Sequence, residues 1–436
     1  MSRNDLPPLM QDRSFWAMVV TQFLGAFNDN LFKQLMLLLA VPVAVAGAEA
    51  KGEDAQGIAS ILFALPFVLF SGFAGYLADR GSKRGIIVMV KVAEICVMLL
   101  GLIGFAMYGV TGYDGLLVVL FLMGLQSTFF GPAKYGILPE LFREEDLARA
   151  NGIIIMSTFL AIIFGTVSAG GLGDLLVDRA QPETASRLWM GSLVCVGIAV
   201  VGTLSSLLIR YVPPAIPDLK FSWEVVFNTV AMKHAERDRP LMWAVLASCM
   251  FWLVSGFAIP AINSLGLRQL GLSDTKTSVL TAVIGLGIAL GAVAAGKLST
   301  SSVDFRLMRM GSWGIVLLCI PMAITIPNRG HLLGFTGSLV VLTCLGASAG
   351  LFAIPVQVFI QARPPAGLKG RILALMNQAN FLAIAISGFI YELFDGVIDV
   401  FNWPRSATFA LMSLFMLPVA LFYRPRPTED AEDAES

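Results

Sequence analysis

Apolar residues in this chain occur in long runs separated by short polar segments. Twelve of these runs have about twenty residues or more, the length that an α-helix needs to cross the hydrocarbon core of a bilayer. The runs lie at 14–46, 57–78, 85–109, 115–138, 150–172, 187–211, 241–267, 276–298, 307–327, 332–361, 371–398 and 405–423. The pattern therefore predicts an all-α membrane protein with twelve transmembrane helices.

A polar segment, 212–240, separates the first six runs from the last six. We therefore expect an N-terminal six-helix bundle at 1–211, a cytoplasmic linker at 212–240 and a C-terminal six-helix bundle at 241–423. Residues 424–436 combine Pro, Glu and Asp without an apolar face, which predicts a disordered tail. The fourth and tenth runs carry a proline at similar places, and such repetition is typical of transporters with two similar halves.

Charge and composition extend this picture. Hydrophobic residues make up 56% of the chain and charged residues 14%, whereas a soluble domain carries about 25% charged residues. The net charge is zero, which gives no indication of a nucleic-acid partner. Apart from Lys33, Lys91 and Lys134, twenty Lys and Arg residues fall on the side of the N terminus and seven on the other side. Because basic residues concentrate in cytoplasmic segments, we expect both termini in the cytoplasm.

The middle of the first run is polar, with Asn28, Asp29, Asn30 and Lys33. Ionised side chains at this depth are costly unless they pair, face the bundle interior or line a hydrated cavity. Asp29 and Lys33 are four residues apart, so they share one face of a helix. Two interpretations stay open, a structural ion pair and a polar cavity that binds substrate or a coupling cation such as a proton or Na⁺.

Three more charges lie within apolar runs. Lys91 and Glu94 are three residues apart in the third run and face the same side of a helix, so they too either pair or line the cavity. Lys134, near the end of the fourth run, has no local partner and either snorkels to the membrane surface or lines the cavity. In the cavity interpretation, Lys134 binds a phosphate and Asp29 binds an amine or the coupling cation.

The last six runs are nearly free of charge, and Gln357 and Asn377 are among their few polar residues. A polar first half and an apolar second half suit an amphiphile whose headgroup contacts one and whose acyl chain contacts the other. We therefore count Gln357 and Asn377 among the predicted substrate-binding residues. Ordinary lipid-facing surface explains the same apolar pattern equally well.

A loop motif follows the second run. It reads Gly72-Phe-Ala-Gly75-Tyr-Leu-Ala-Asp79-Arg80-Gly-Ser-Lys83-Arg84. The glycines allow two helices to approach closely, Asp79 suits a helix N-terminus, and the basic residues suit the anionic cytoplasmic leaflet. The run resembles the cytoplasmic loop signature of the major facilitator superfamily, and the alternative is a basic turn set by topology alone.

Longer motifs sharpen the resemblance. Gln22-Phe-Leu-Gly-Ala-Phe-Asn28-Asp29-Asn30 and Gly131-Pro-Ala-Lys134-Tyr-Gly-Ile-Leu138 resemble the lysophospholipid transporter family of that superfamily, as does the pair Phe251-Trp252. The resemblance implies movement of lysophospholipids from the outer to the inner leaflet of a bacterial inner membrane, for reacylation by a cytoplasmic acyltransferase. It also implies that Asp29 and Lys134 contribute to the polar cavity.

One departure from the family pattern concerns the seventh run. The family has an arginine soon after the Phe-Trp pair, whereas the first arginine after Phe251-Trp252 here is Arg268. The headgroup preference therefore stays open, and an exporter of drugs or other small molecules is the alternative transporter. The expected partners are a lysophospholipid or similar amphiphile, membrane lipids, a coupling cation and a cytoplasmic acyltransferase.

An enzyme is the competing class of protein. The best candidate is a membrane acyltransferase with His234 and Asp238, but three residues separate the pair where similar acyltransferases have four. The segment 212–240 is also too short for a catalytic domain of its own. The sequence contains no P-loop, metal-ligand cluster or nucleophile elbow. We therefore expect a transporter with no enzymatic activity, cofactor or metal.

Overall fold

The computed structural model describes residues 7–43, 54–223, 229–298, 305–327, 330–365 and 368–423. The helices are α1 (Arg13–Leu39), α2 (Gln56–Arg80), α3 (Lys83–Ala106), α4 (Tyr108–Leu141), α5 (Leu147–Leu176), α6 (Trp189–Leu207), α7 (Thr229–Arg237), α8 (Arg239–Ser264), α9 (Asp274–Leu298), α10 (Phe305–Ala323), α11 (Gly334–Ala362), α12 (Lys369–Phe401) and α13 (Ala407–Phe422). Apart from the short α7, each helix corresponds to one of the twelve predicted runs. The predicted tail, 424–436, lies outside the described residues.

Short elements connect these helices. Helical turns of the 3₁₀ type occupy Leu9–Gln11, Glu144–Asp146 and Pro182–Leu188, and a π-helical turn at Leu265–Gln269 continues α8. A two-stranded antiparallel sheet, β1 (Thr325–Ile326) and β2 (Gly330–His331), precedes α11. These elements add no layer to the fold, so the described part of the chain is essentially all α-helical.

Among the described residues, ten helices are long and apolar enough to span a membrane by themselves. Helix α13 has only 16 residues, and α1 is less apolar because Asn28, Asp29 and Asn30 lie in its middle. Both pack against the other helices of their own halves. The chain is therefore a multi-pass membrane protein with twelve helices in the positions that its hydrophobic pattern predicts.

The helices form two bundles with the same internal arrangement. In the first bundle α1 packs on α5, α2 on α4 and α3 on α6. In the second bundle α8 packs on α12, α9 on α11 and α10 on α13, which repeats the first pattern six spans later. Across the interface α2 meets α12 and α5 meets α9. The predicted pair of pseudo-symmetric six-helix bundles is confirmed.

Glycines set the close approach of α9 and α11. A Cβ atom on Gly350 would lie 2.5 Å from the carbonyl oxygen of Ile288, and Cβ atoms on Gly287 and Gly291 would collide with carbonyl oxygens of α11. Small residues at such contacts let helix backbones pack directly against each other in a membrane. This pair of helices is therefore fixed by backbone contact.

The two ends of the molecule carry different connections. The terminal end is where α1 begins and α13 ends, and the opposite end carries the connection from α1 to α2. The segment between the bundles runs along the terminal end. The phenyl ring of Phe221 packs edge-on against Tyr76 of the first bundle, and α7 then packs on α8 and α12 of the second. Helix α7 was not predicted, because the 212–240 segment reads as polar throughout.

The loop motif at the terminal end differs from its predicted role. Ser82, rather than Asp79, caps α3, because its Oγ accepts the Gly85 N–H at 3.4 Å. The Asp79 residue is exposed, and its backbone carbonyl accepts the Ile216 N–H at 2.9 Å. A Cβ atom on Gly75 would meet no atom of the described residues within 4 Å, so no described helix approaches Gly75 closely in this conformation, and Gly72 is half-buried.

The basic residues of the motif bind protein groups, although the sequence suggested contacts with lipid. Arg80 donates to the Tyr76 hydroxyl at 2.6 Å. Lys83 is almost fully buried and pairs with Glu140 at 2.5 Å. Arg84 donates to two carbonyl oxygens at the C-terminal end of α6, that of Leu207 at 2.9 Å and that of Ile209, just past the helix, at 2.8 Å. A cation at a helix C-terminus is favourable, so Arg84 fixes the end of α6.

Candidate functional site

Helix α1 carries polar side chains toward several neighbouring helices. Gln22 donates to Thr158 of α5 at 2.9 Å, and Gln34 donates to Asn263 of α8, in the other bundle, at 3.0 Å. Asn30 instead donates to the carbonyl of Ala26 in its own helix at 2.8 Å. A helix buried among others satisfies its polar groups only through such contacts. Gln22 and Gln34 thus join α1 to helices of both bundles.

Asp29 faces α4. Its carboxylate accepts the Ser127 hydroxyl at 2.7 Å and the Gln126 amide at 3.3 Å. Lys33 does not pair with it. Among the described residues no carboxylate lies within 4.0 Å of the Lys33 ammonium, which stands 5.0 Å from the centre of the Phe63 ring. The structure therefore contradicts the interpretation of Asp29 and Lys33 as a self-contained ion pair, although their side chains share one face of α1.

Lys91 and Glu94 do form an ion pair, at 2.5 Å, and each side chain is only 2% exposed. The Asn28 amide donates to Glu94 at 3.0 Å and to the Cys195 carbonyl at 3.2 Å, and Asn28 is fully buried. A Cβ atom on Gly25 would collide with the Lys91 ammonium, so α1 covers the pair. These three polar residues lie between α1, α3 and α6, where they stabilise the first bundle and do not line an open cavity.

Lys134 differs from Lys91 in having no counter-ion. Its side chain is 8% exposed, and no carboxylate of the described ranges lies within 4.0 Å of its ammonium. The ring centres of Tyr135 and Phe130 stand 4.3 Å and 5.9 Å from it. An aromatic face stabilises a cation only partly. Lys134 is therefore a desolvated positive charge that can still accept an anionic partner.

The predicted polar residues of the second bundle are not brought to the charges of the first. Gln357 is half-buried and Asn377 is exposed, and within the described residues no hydrogen bond joins either to Asp29 or Lys134. Residues close to Asn377 on α12 instead form contacts between the two bundles. Gln378 donates to the Val68 carbonyl at 2.9 Å. Phe381, one turn further along α12, stacks on Phe67, the residue before Val68, with 4.0 Å between ring centres.

A buried polar network at the opposite end was missed by the sequence analysis. Asp54, directly before α2, is 2% exposed. Its carboxylate accepts the hydroxyls of Ser264 at 2.7 Å and Tyr391 at 3.2 Å, both from the second bundle. Asn263 donates to Gln56 at 2.9 Å across the same interface. The sequence places Asp54 in a polar connection, so only its position just before a helix hinted at a fixed role.

A second contact closes the same end. Arg179 of the first bundle pairs with Asp274 of the second at 2.6 Å. Asp174 accepts the backbone N–H groups of Asp274 at 2.8 Å and Thr275 at 3.0 Å, at the start of α9. Together with the Asp54 network, these contacts hold the two bundles together at the opposite end.

Removing the Asp54 carboxylate should loosen that closure. Asp54→Ala removes the carboxylate that accepts both buried hydroxyls and leaves them only each other and the Pro260 carbonyl; a hydrogen bond to a charged group contributes about 1.5–3 kcal/mol. We expect about tenfold faster labelling of Leu38→Cys by a maleimide applied from the opposite end, in a cysteine-free background, because Leu38 packs against Leu267 of the other bundle. Asp114→Ala, at an exposed residue of the same end, is the control. Equal labelling rates in the two variants would contradict the role of Asp54.

The remaining candidates from the sequence have structural partners. Asp238 accepts the Leu241 N–H at 3.2 Å and pairs with Arg363 at 2.7 Å, so it caps α8 and is not held by His234 as in a catalytic pair. Arg268 lies 3.6 Å from Asp395 and 3.5 Å from Asp399 at the opposite end. It therefore does not replace the arginine that the family resemblance would place near the middle of the seventh run.

Comparisons with known proteins agree with this architecture. The lysophospholipid transporter LplT of Escherichia fergusonii is 28% identical over 392 residues, which cover 86% of this chain and 87% of that protein. LplT of Serratia proteamaculans is 26% identical over 394 residues, with 88% and 89% covered. A crystal structure of a POT family transporter with a thioalcohol-conjugated peptide superposes with a TM-score of 0.73 at 13% identity, over 97% of this chain and 98% of that one.

The family model that matches is that of the Major Facilitator Superfamily, over residues 18–388. This range includes α1 to α6 and reaches into α12, so the match covers both bundles. The resemblance inferred from the α1, α2 and α4 motifs is thereby confirmed at the level of the superfamily. The chain belongs to the Major Facilitator Superfamily of membrane transporters.

Proposed function

We propose that this chain is a secondary transporter that moves a lysophospholipid from the outer to the inner leaflet of a bacterial inner membrane by alternating access. The observation that carries the proposal is the Lys134 ammonium, which is mostly buried and has no carboxylate within 4.0 Å among the described residues. The names of the curated relatives support the same substrate class. In this proposal Lys134 binds the lipid phosphate, and Asp29 binds the headgroup amine or a coupling cation.

The geometry of the two charges supports a zwitterionic headgroup. The Asp29 carboxylate accepts two hydrogen bonds from α4, and a carboxylate offers about four acceptor positions, so it retains capacity for an ammonium. Lys134 follows Ser127 by seven residues on α4, which corresponds to about 10 Å along the helix axis. A negative and a positive partner at this separation suit the two ends of a polar headgroup better than a small single ion.

The orientation in the membrane follows from the distribution of basic residues. The closed side follows from the contacts between the bundles. We place the terminal end in the cytoplasm, because basic residues concentrate there. The Asp54 and Arg179 contacts then close the outward side. Residues 1–211 and 241–423 would be the two moving units and 212–240 their cytoplasmic linker. The lipid product would serve a cytoplasmic acyltransferase, and a proton or Na⁺ gradient would drive the cycle.

Reconstituted transport tests the proposal directly. Purified protein in liposomes should accelerate the movement of fluorescent lysophosphatidylethanolamine between leaflets, measured by the loss of quenching by an external reagent. Transport measured with and without proton and Na⁺ gradients identifies the coupling ion. Movement no faster than in protein-free liposomes, together with efflux of cationic drugs, would replace this proposal with the exporter alternative.

Lys134→Ala should weaken the binding of phosphate-bearing lipids. Charge-assisted hydrogen bonds contribute about 1.5–3 kcal/mol, so we expect the Kd for lysophosphatidylethanolamine to rise at least tenfold in nanodiscs. Lys297→Ala, at an exposed residue of α9, should leave the Kd unchanged. An unchanged Kd in Lys134→Ala would dismiss this ammonium as the phosphate ligand.

A further inference from the structure

Lys33 is a second intramembrane ammonium with no carboxylate of the described residues within 4.0 Å, although Asp29 on the same face of α1 attracts it at longer range. It is half-buried, and in the described ranges neither a hydrogen bond nor an ion pair engages it. The Phe63 ring stands 5.0 Å from the ammonium. Lys134 likewise stands against aromatic rings without a carboxylate. The first bundle thus contains two similar cationic positions, whereas Lys83 pairs with Glu140 and Lys91 pairs with Glu94.

The two free ammoniums lie on opposite sides of Asp29. The hydrogen bond between Asp29 and Ser127 sets these residues at the same depth. Helix α1 runs from the terminal end to the opposite end, and α4 runs back. With a rise of 1.5 Å per residue, the backbone of Lys33 lies about 6 Å from Asp29 toward the opposite end, and that of Lys134 about 10 Å toward the terminal end. One carboxylate is therefore flanked by one ammonium on each side along the transport axis.

We propose that Lys33 and Lys134 are successive binding sites for the same lipid phosphate, with the headgroup amine held at Asp29 between them. The inference rests on the proposed function and deepens it. The phosphate binds Lys33 when the opposite end is open and Lys134 when the terminal end is open. Because the amine stays at Asp29 while the phosphate passes from one side to the other, the headgroup reverses its direction relative to the membrane. That reversal is the flip that leaflet exchange requires.

Separation and charge both support two successive sites. The axial offset between the two lysines is about 16 Å, so one phosphate reaches only one of them at a time. A phosphate supplies charge-assisted hydrogen bonds to an ammonium, which are stronger than contacts with a ring face. The Asp54 and Arg179 contacts close the opposite end in this conformation, so the proposal assigns the bound phosphate to Lys134 here and to Lys33 after these contacts open.

Cross-linking the opposite end in its closed state allows the two sites to be tested separately. Leu38 and Leu267 pack together across the bundle interface at the opposite end. Leu38→Cys and Leu267→Cys joined by a short bismaleimide, in a background without the five native cysteines, would hold this end closed. In the locked protein we expect Lys134→Gln to raise the Kd for lysophosphatidylethanolamine about tenfold and Lys33→Gln to leave it unchanged. In the unlocked protein, both variants should slow transport of this lipid at least tenfold.

Control variants distinguish a binding role of the lysines from a loss of folded protein. Lys33→Arg should retain transport because it keeps the charge, and Lys276→Gln, an exposed lysine of the opposite end, should match wild type. Monodisperse elution of Lys33→Gln in detergent, with transport reduced, supports a binding role. The inference is overturned if unlocked Lys33→Gln transports at the wild-type rate, or if it weakens binding to the locked protein as much as Lys134→Gln does. A wild-type protein that moves no lysophospholipid would instead refute the proposed function.

Discussion

Asp29→Asn should lower the rate of lysophospholipid transport about a hundredfold while the protein remains folded. The asparagine side chain keeps an oxygen that can accept the Ser127 hydroxyl, now at 2.7 Å from the carboxylate, so the contact between α1 and α4 is retained. What disappears is the negative charge, and an interaction with a charged group contributes about 1.5–3 kcal/mol. Transport in liposomes and elution profile in detergent measure the two effects separately.

The matched control is Asp114→Asn, because Asp114 lies on the same helix as Ser127 but is exposed. This variant should transport at the wild-type rate. If Asp29→Asn also transported normally, the carboxylate would serve only to join α1 to α4. If it lost transport but kept full binding of lysophospholipid, Asp29 would act on the coupling cation rather than on the headgroup.

The fold was predictable because its dominant signal is local. A run such as 57–78 is long enough to cross a membrane and carries no charge, and that alone locates α2 at Gln56–Arg80. The hydrophobic pattern does not show helices made of polar residues. Helix α7 is one case, since Thr229–Arg237 has no apolar run and is stabilised by packing on α8 and α12.

The candidate site was predictable only as a set of residues. Helical spacing shows that Asp29 and Lys33 share a face. It does not show that Ser127 and Gln126 of α4 donate hydrogen bonds to the Asp29 carboxylate. Helical spacing likewise shows that Lys91 and Glu94 share a face, but only these two form an ion pair in the structure. The difference depends on which helices surround each pair, and that is information about tertiary packing.

The Asp54 network could not be predicted for the same reason. Its partners Ser264 and Tyr391 are more than a hundred residues away in the chain. Nothing in the sequence around Asp54 distinguishes a buried carboxylate from a solvated one in a loop. The contact exists because two bundles meet at the opposite end, so it belongs to one conformation of a transporter rather than to a local motif.

Glu94→Gln should strongly destabilise the protein. Removing this charge leaves the Lys91 ammonium, 2% exposed, with no carboxylate beside it. Breaking a buried ion pair by removing one partner costs about 3–5 kcal/mol. We therefore expect a large fall in apparent Tm, measured by size-exclusion chromatography of heated detergent samples. Glu145→Gln breaks the exposed pair with Arg143 and should cost less than about 1 kcal/mol, since surface pairs contribute little.

A double-mutant cycle tests whether the loss reflects the pair itself. Lys91→Met combined with Glu94→Gln removes both charges, so no buried charge is left uncompensated, and the double variant should be more stable than Glu94→Gln alone. The changes in Tm of the single variants Lys91→Met and Glu94→Gln should therefore not add up to the change in the double variant. If Glu94→Gln kept the wild-type Tm but lost transport, Glu94 would take part in the transport cycle, and its assignment as a structural residue of the first bundle would be wrong.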